Sequence, residues 1–260
     1  PPNLDLQFNA TAGKINFEEL LLEKLSGSMA ISQGKLVLKN SSVDIIGCTV
    51  KTDVAYQSET PKRANFDLNI LAKNFDVQRA YKEVKLFREM ASAAENAEGI
   101  ISLNYKVAGK LDGNMQPIYP SLSGGGILSV KNVKMNGFKM FGAVSKKTGK
   151  DALNNPDLSK VDIKTTIKNN IITIERFKFK VAGFRPRIEG QTSFDGALNI
   201  KMRLGLPPLG IIGIPIKITG TKDDPKVRLG RQTEDLKETE YEEGLPAPQT
   251  NQSQPQNPKP

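Results

Sequence analysis

Apolar and polar residues alternate one by one through segment after segment of this chain, and that pattern limits the fold more than any other feature. Ile200, Met202, Leu204 and Leu206 alternate with Asn199, Lys201, Arg203 and Gly205. Phe66, Leu68 and Ile70 alternate with Asn65, Asp67 and Asn69, and Ile101, Leu103, Tyr105 and Val107 with Ser102, Asn104 and Lys106. The pattern returns in Val161-Ile163, Leu36-Leu38, Val50-Val54-Tyr56, Ile214-Ile216-Ile218 and Val227-Leu229. Successive side chains of a strand point to opposite faces, so each segment buries one face and wets the other. The expectation is an antiparallel sheet covered on one side only.

Turn chemistry joins these runs at short spacing: Gly13-Lys14, Gln33-Gly34, Lys168-Asn169-Asn170, Asp195-Gly196 and Asp223-Asp224-Pro225. Asn170 and Gly196 stand where hairpin turns need positive φ. Strands linked this way form a meander, not βαβ units. One segment changes face within itself. Ile172 and Ile174 share one parity and Phe177, Phe179 and Val181 the other, which predicts a bulge near Glu175-Arg176.

Two segments carry helical spacing. Asp76 is a suitable N-cap for residues Val77–Asn96, with apolar Val77, Ala80, Tyr81, Val84, Phe87, Met90 and Ala94 at three-to-four spacing; a straight helix of that length spans about 30 Å. The second is Phe138–Lys147. Glu18–Leu25 fits a short helix or the start of a strand. A loose repeat links Leu25-Ser26-Gly27…Lys39-Asn40 to Leu122-Ser123-Gly124…Lys131-Asn132, each running through an apolar strand into Lys-Asn. It supports repeated hairpins without a fixed period. The organisation predicted is a β-rich domain over residues 1–230 and a disordered Pro/Gln/Asn-rich tail over 231–260, which has almost nothing to bury.

Composition removes many functions. The 260 residues contain no His, no Trp and one Cys. Ser-His-Asp and Cys-His nucleophiles, His-ligated zinc, disulfides and CxxC redox pairs are therefore excluded within this chain. The net charge is +9, and because the last 30 residues hold three basic and six acidic side chains, the body carries +12. Such a body suits phosphate-bearing partners, or simply keeps a β-rich surface soluble and blunts edge pairing. The longest apolar run, Leu206–Ile216, has 11 residues and three prolines, short of the roughly 20 that a spanning helix needs. The chain opens without Met, so an anchor is expected in sequence upstream of it.

Local motifs carry no catalytic machinery. Asp223-Asp224-Pro225 reads as a turn, since paired catalytic carboxylates converge from separate elements. Ser123-Gly124-Gly125-Gly126 lacks the Lys and the helix of a phosphate loop and reads as a hinge at the start of a strand. Cys48 is expected to be a buried, inert thiol. Arg176, Lys178 and Lys180 share a strand face, but Phe177 and Phe179 point the other way, unlike an interleaved nucleic-acid surface. What remains is the apolar face. It lines an open trough for acyl chains if the sheet curves, or forms dry core if two sheets close on one another.

Residues Gly47–Tyr81 (GCTVKTDVAYQSETPKRANFDLNILAKNFDVQRAY) resemble the AsmA-like family of bacterial envelope proteins, through Pro61-Lys62, Phe66-Asp67-Leu68-Asn69-Ile70 and the helix start at Asp76-Val77-Gln78. Gly99–Lys110, Tyr119–Val130 and the hairpin Gly220-Thr221…Asp224-Pro225-Lys226-Val227 resemble that family's C-terminal region. The resemblance spans roughly residues 13–230. It implies a periplasmic protein anchored to the inner membrane, akin to TamB-like and bridge-type lipid carriers whose taco-shaped sheets hold phospholipid tails. The implied groove lining is Ile200, Met202, Leu204, Ile214, Ile216 and Ile218. No catalytic residue, metal or cofactor is implied, and phospholipid is the expected partner. The functions to weigh are a non-enzymatic carrier in phospholipid handling or outer-membrane homeostasis, a closed-core structural module of the envelope, and a basic nucleic-acid binder; nucleic acid is not expected as a partner.

Overall fold

The structure, a computed structural model, describes residues 5–17, 20–84, 87–88 and 92–230. The tail expected to be disordered, 231–260, lies outside the described residues. Thirteen strands form one antiparallel sheet in simple sequence order. They are β1 Leu6–Phe17, β2 Leu20–Ser32, β3 Lys35–Ile45, β4 Cys48–Thr60, β5 Arg63–Asp76, β6 Ala97–Asp112 and β7 Ser123–Met135. Then follow β8 Asp157–Lys168, β9 Ile171–Lys178, β10 Arg185–Ser193, β11 Leu198–Gly205, β12 Gly213–Gly220 and β13 Pro225–Leu229. β1 and β13 each pair on one side only, so the sheet is an open, curved meander. The turns predicted at Gln33-Gly34, Asn169-Asn170 and Asp195-Gly196 hold, with φ of 51°, 68° and 92° at Asn169, Asn170 and Gly196; Gly13-Lys14 does not turn but lies inside β1, where Lys14 pairs with Glu23 of β2. Glu18–Leu25 resolves as strand from Leu20 onward, while residues 18 and 19 lie outside the described set.

Among the described residues two α-helices with full bounds interrupt the meander, α1 Val77–Glu83 after β5 and α2 Lys139–Thr148 after β7, and residues 87–88 are also helical. Asp76 caps α1 as expected, its carboxylate accepting the Arg79 N–H at 2.8 Å. The single long helix Val77–Asn96 does not form. Val84 is extended, with φ −109° and ψ 100°, and Ser92–Asn96 is a separate 3₁₀ turn; of the residues between, 85–86 and 89–91 lie outside the described set. The reason is topological. β6 pairs directly with β5, with Ile100 opposite Asp76, so the chain must come back to its point of departure. A straight helix of about 30 Å would leave it far from there. Helix α2 matches the predicted Phe138–Lys147 closely. Phe138 is its N-cap, Gly149 closes it in the left-handed conformation, and Phe141 and Val144 face inward.

The sheet curves through repeated bulges. In β3 the pair Lys39-Asn40 faces Asp53 alone, in β5 Lys73-Asn74 faces Ser102, and in β7 Asn132-Val133 faces Gly99. Asn40, Asn74 and Asn132 all take left-handed φ, between 50° and 54°. Asn tolerates that region better than other side chains. Two of the three are fastened by their own backbone N–H: Asn40 donates to Asp53 Oδ1 at 2.7 Å and Asn74 to Ser102 Oγ at 2.9 Å. Each bulge adds local right-handed twist. The bulge predicted near Glu175-Arg176 is also present, those two residues facing Glu189.

Gly126 shapes the middle of the sheet. A Cβ there would stand 2.1 Å from the Asn104 carbonyl oxygen and 2.7 Å from the Tyr105 ring. The bare backbone lets Tyr105 of β6 lie across β7 and bond its hydroxyl to Thr165 Oγ1 of β8 at 2.8 Å. The glycine run is thus part of strand β7 and makes room for close packing.

Candidate functional site

The inner face of the sheet, traced through the strand register, divides into a sealed half and an open half. In the sealed half one row runs Ile174, Gly190, Ile200, Ile218, Val227 across β9–β13. Ile200, Met202, Leu204, Ile216 and Ile218 are buried, with 3% exposure or less, and Ile214 is half-buried. All six belong to, or pack against, the cluster that contains Phe141 and Val144 of α2 together with Leu153, Leu158 and Phe179. These are the six residues expected to line a groove; five of them are core instead, and Ile214 is half-buried against the same cluster. Helix α2 contributes Phe141 and Val144 to that cluster and packs on the neighbouring strand β13.

A second plug closes the middle. Between β6 and β7 the chain folds back through the 3₁₀ turn Tyr119–Ser121. Leu122 is 1% exposed and joins Val107 and Ile167, with Tyr105, Phe66, Ile172 and Phe194 around them. Tyr119 stacks on Phe194 with ring centres 4.9 Å apart.

Across β1–β5 no such cover is present among the described residues. One row runs Phe8, Met29, Leu38, Val54, Leu68 and ends at the buried Val107. The next runs Leu6, Ile31, Leu36, Tyr56, Phe66. Leu6 and Phe8 are 45% and 43% exposed, and the other eight are half-buried. Five strands at about 4.8 Å give each row a length of about 20 Å. Exposed Lys35, Lys62 and Arg63 stand in or beside the β2–β3 and β4–β5 turns, next to the outermost row. At the far end of the same strands Val77 and Ala80 of α1 close the face over Val43, Val50, Ala72 and Phe75. The result is a half-open apolar trough with a cationic margin.

The other residues marked from sequence fall into place as structure. Asp223-Asp224-Pro225 is a turn, in which Asp224 N–H donates to Thr221 Oγ1 at 3.1 Å. Cys48 is 5% exposed, its thiol donates to the Lys73 carbonyl at 3.2 Å, and burial pushes its pKa up, away from a reactive thiolate. Arg176 forks onto Glu189, while Lys178 and Lys180 remain exposed on the outer face and Phe179 is core. Two cavities of about 270 and 280 Å³ open on the polar outer face, around Arg176, Lys178 and Arg187 and around Ser102, Ser129 and Asp162. Among the described residues there is no cluster of three potential metal ligands and no helix long and apolar enough to cross a membrane.

The open half could be found in sequence only as alternation. Leu36, Leu38 and Tyr56 have the same period as Ile216 and Ile218, and periodicity does not encode which stripe a distant helix covers. Comparison with known proteins finds no matching family, no similar curated protein and no similar solved structure. The fold and site therefore define a class and no more: a single-sheet, curved β-meander with one half plugged and one half open.

Proposed function

We propose that this protein is a non-enzymatic lipid-handling component of a bacterial envelope that binds acyl chains along the β1–β5 trough. The observation that carries this reading is the pair of apolar rows from Leu6 and Phe8 to Phe66 and Leu68, left partly in water by a chain that seals the rest of the same face. Every CH₂ moved from water onto such a surface gains about 0.8 kcal/mol. Lys35, Lys62 and Arg63 stand where an anionic headgroup would remain hydrated while its tail lies inward. The resemblance to AsmA-like proteins supports the same substrate class and a periplasmic setting. The groove lining it implies lies on β11 and β12, whereas the burial of that region moves the proposal to β1–β5.

Lipid extraction and native mass spectrometry of protein purified without detergent test this reading. Co-purifying phospholipid is expected, together with its loss in Met29→Arg and Leu38→Arg variants that keep the wild-type circular dichroism. Lipid-free protein that also fails to take up a fluorescent fatty acid overturns it. The second reading, a closed structural module, is favoured by the sealed β9–β13 half and is what that negative result would leave.

A further inference from the structure

The most exposed large apolar side chains of the described protein lie on its sealed side, away from the trough. They are Leu209, Ile211 and Ile212, exposed by 61%, 76% and 74%, at the tip of the β11–β12 loop. The tip is a built knob. Leu206 N–H donates to the Ile212 carbonyl and Gly210 N–H to the Leu206 carbonyl, both at 2.8 Å, and Arg203 Nη2 donates to the Ile211 carbonyl at 3.1 Å. These bonds fix the shape of the tip and occupy the carbonyls of Leu206, Ile211 and Ile212, which lowers the cost of carrying that backbone into a water-poor layer.

Cations surround the knob. The Arg185 side chain lies against Gly210, and the β9–β10 turn reaches Pro207 through Gly183. Lys178 pairs in register with Arg187, and Arg187 with Arg203. Residues 176–217 contain eight basic and two acidic side chains. Glu189 is held by Arg176, and Asp195 lies in the turn at the opposite end of β11. Lys178, Lys180, Arg185 and Arg187 form no ion pair among the described residues.

We infer that the β11–β12 tip is a membrane-docking element: Leu209, Ile211 and Ile212 enter the acyl boundary of a bilayer while Arg185, Arg187 and Lys178 hold its anionic headgroups. Charge complementarity selects this occupant. A purely aliphatic tip inside a cationic collar matches the two layers of an anionic leaflet, apolar below and negative above. A protein partner's hot spot would favour aromatic anchors, and the tip has none. The inference stands apart from the trough, which lies on other strands.

Flotation of the whole chain with phosphatidylcholine vesicles, with and without phosphatidylglycerol, tests it. The chain should float with phosphatidylglycerol vesicles at low salt and be released at high salt. Replacing Leu209, Ile211 and Ile212 together by Ser should weaken binding at least about tenfold with an unchanged thermal melt. Arg185→Gln with Arg187→Gln should remove the preference for anionic vesicles, and Met29→Arg in the trough should leave flotation intact. An environment-sensitive dye on Ile211→Cys, the other thiol being the buried Cys48, should shift to the blue on vesicles. Absence of wild-type flotation, equal flotation of the triple Ser variant, or tip-dependent capture by a protein without vesicle binding would each overturn the inference.

Discussion

Leu204 and Phe8 both lie on the inner face, and the two halves of that face require them to fail differently. Leu204 in β11 has no exposure and sits in the core under α2. Leu204→Ala removes the transfer energy of the side chain and leaves a cavity, a cost of about 3–5 kcal/mol. Phe8 in β1 is 43% exposed, so somewhat over half of its surface is shielded and water refills what it vacates. Only a partial transfer term is lost in Phe8→Ala, about 1 kcal/mol. The ligand response should run the other way. A long-chain fatty acid at a hundredfold excess over its Kd stabilises the folded state by about 2.7 kcal/mol. Leu204→Ala should keep that increment on a lowered baseline. Phe8→Asp, which sets a carboxylate against the hydrocarbon, should keep most of the baseline and lose the increment. Urea unfolding of the wild type and the three variants with and without the fatty acid reads both quantities. If Leu204→Ala lost the increment while Phe8→Asp retained it, or if the two Ala variants cost the same, the division into sealed and open halves would be wrong.

Gly126→Ala should cost about 2–4 kcal/mol by urea unfolding, because the new methyl overpacks the Asn104 carbonyl and lifts Tyr105 off Thr165; a change below about 0.5 kcal/mol would refute that packing. Asn74→Val should destabilise by about 1–2 kcal/mol, since a β-branched residue resists left-handed φ, and Asn74→Gly by much less; equal melts of the two variants would contradict the bulge geometry. Acid should weaken the fold. The Thr49 hydroxyl and then Lys24 hold the Asp44 carboxyl below its usual pKa, the Asn65 amide and Lys110 do so for Glu59, and the Ser193 hydroxyl for Asp195. The unfolded chain then takes up protons first, so these contributions are complete above about pH 5 and are lost as pH falls through the lower folded values. Thermal melts across that range should show the decline, and Thr49→Val should flatten the share that belongs to Asp44.

Alternation and turn chemistry in the sequence determined the meander and its inner stripe, together with the bulge at Glu175-Arg176 and helix α2, because these depend on dihedral preference and side-chain parity within a few residues. The repeated Lys-Asn was visible in the chain, as at Lys39-Asn40 and Lys131-Asn132. Its meaning as a left-handed bulge was not, since Asn in a loop and Asn in a bulge look alike until the facing strand supplies a single residue. The length of α1 was equally out of reach, because its end is set by where β6 must begin.

Which apolar residues stay in water was decided by tertiary structure alone. Ile216 and Leu36 carry the same local pattern, yet the first is buried in the cluster to which α2 contributes Phe141 and Val144, and no described element covers the second. Burial depends on contacts between residues far apart in the chain, and hydrophobic period reports only which side of a strand a residue occupies. The exposed tip at Leu209, Ile211 and Ile212 shows the converse: the longest apolar run of the sequence has its middle in solvent, because the geometry of one hairpin turns it outward.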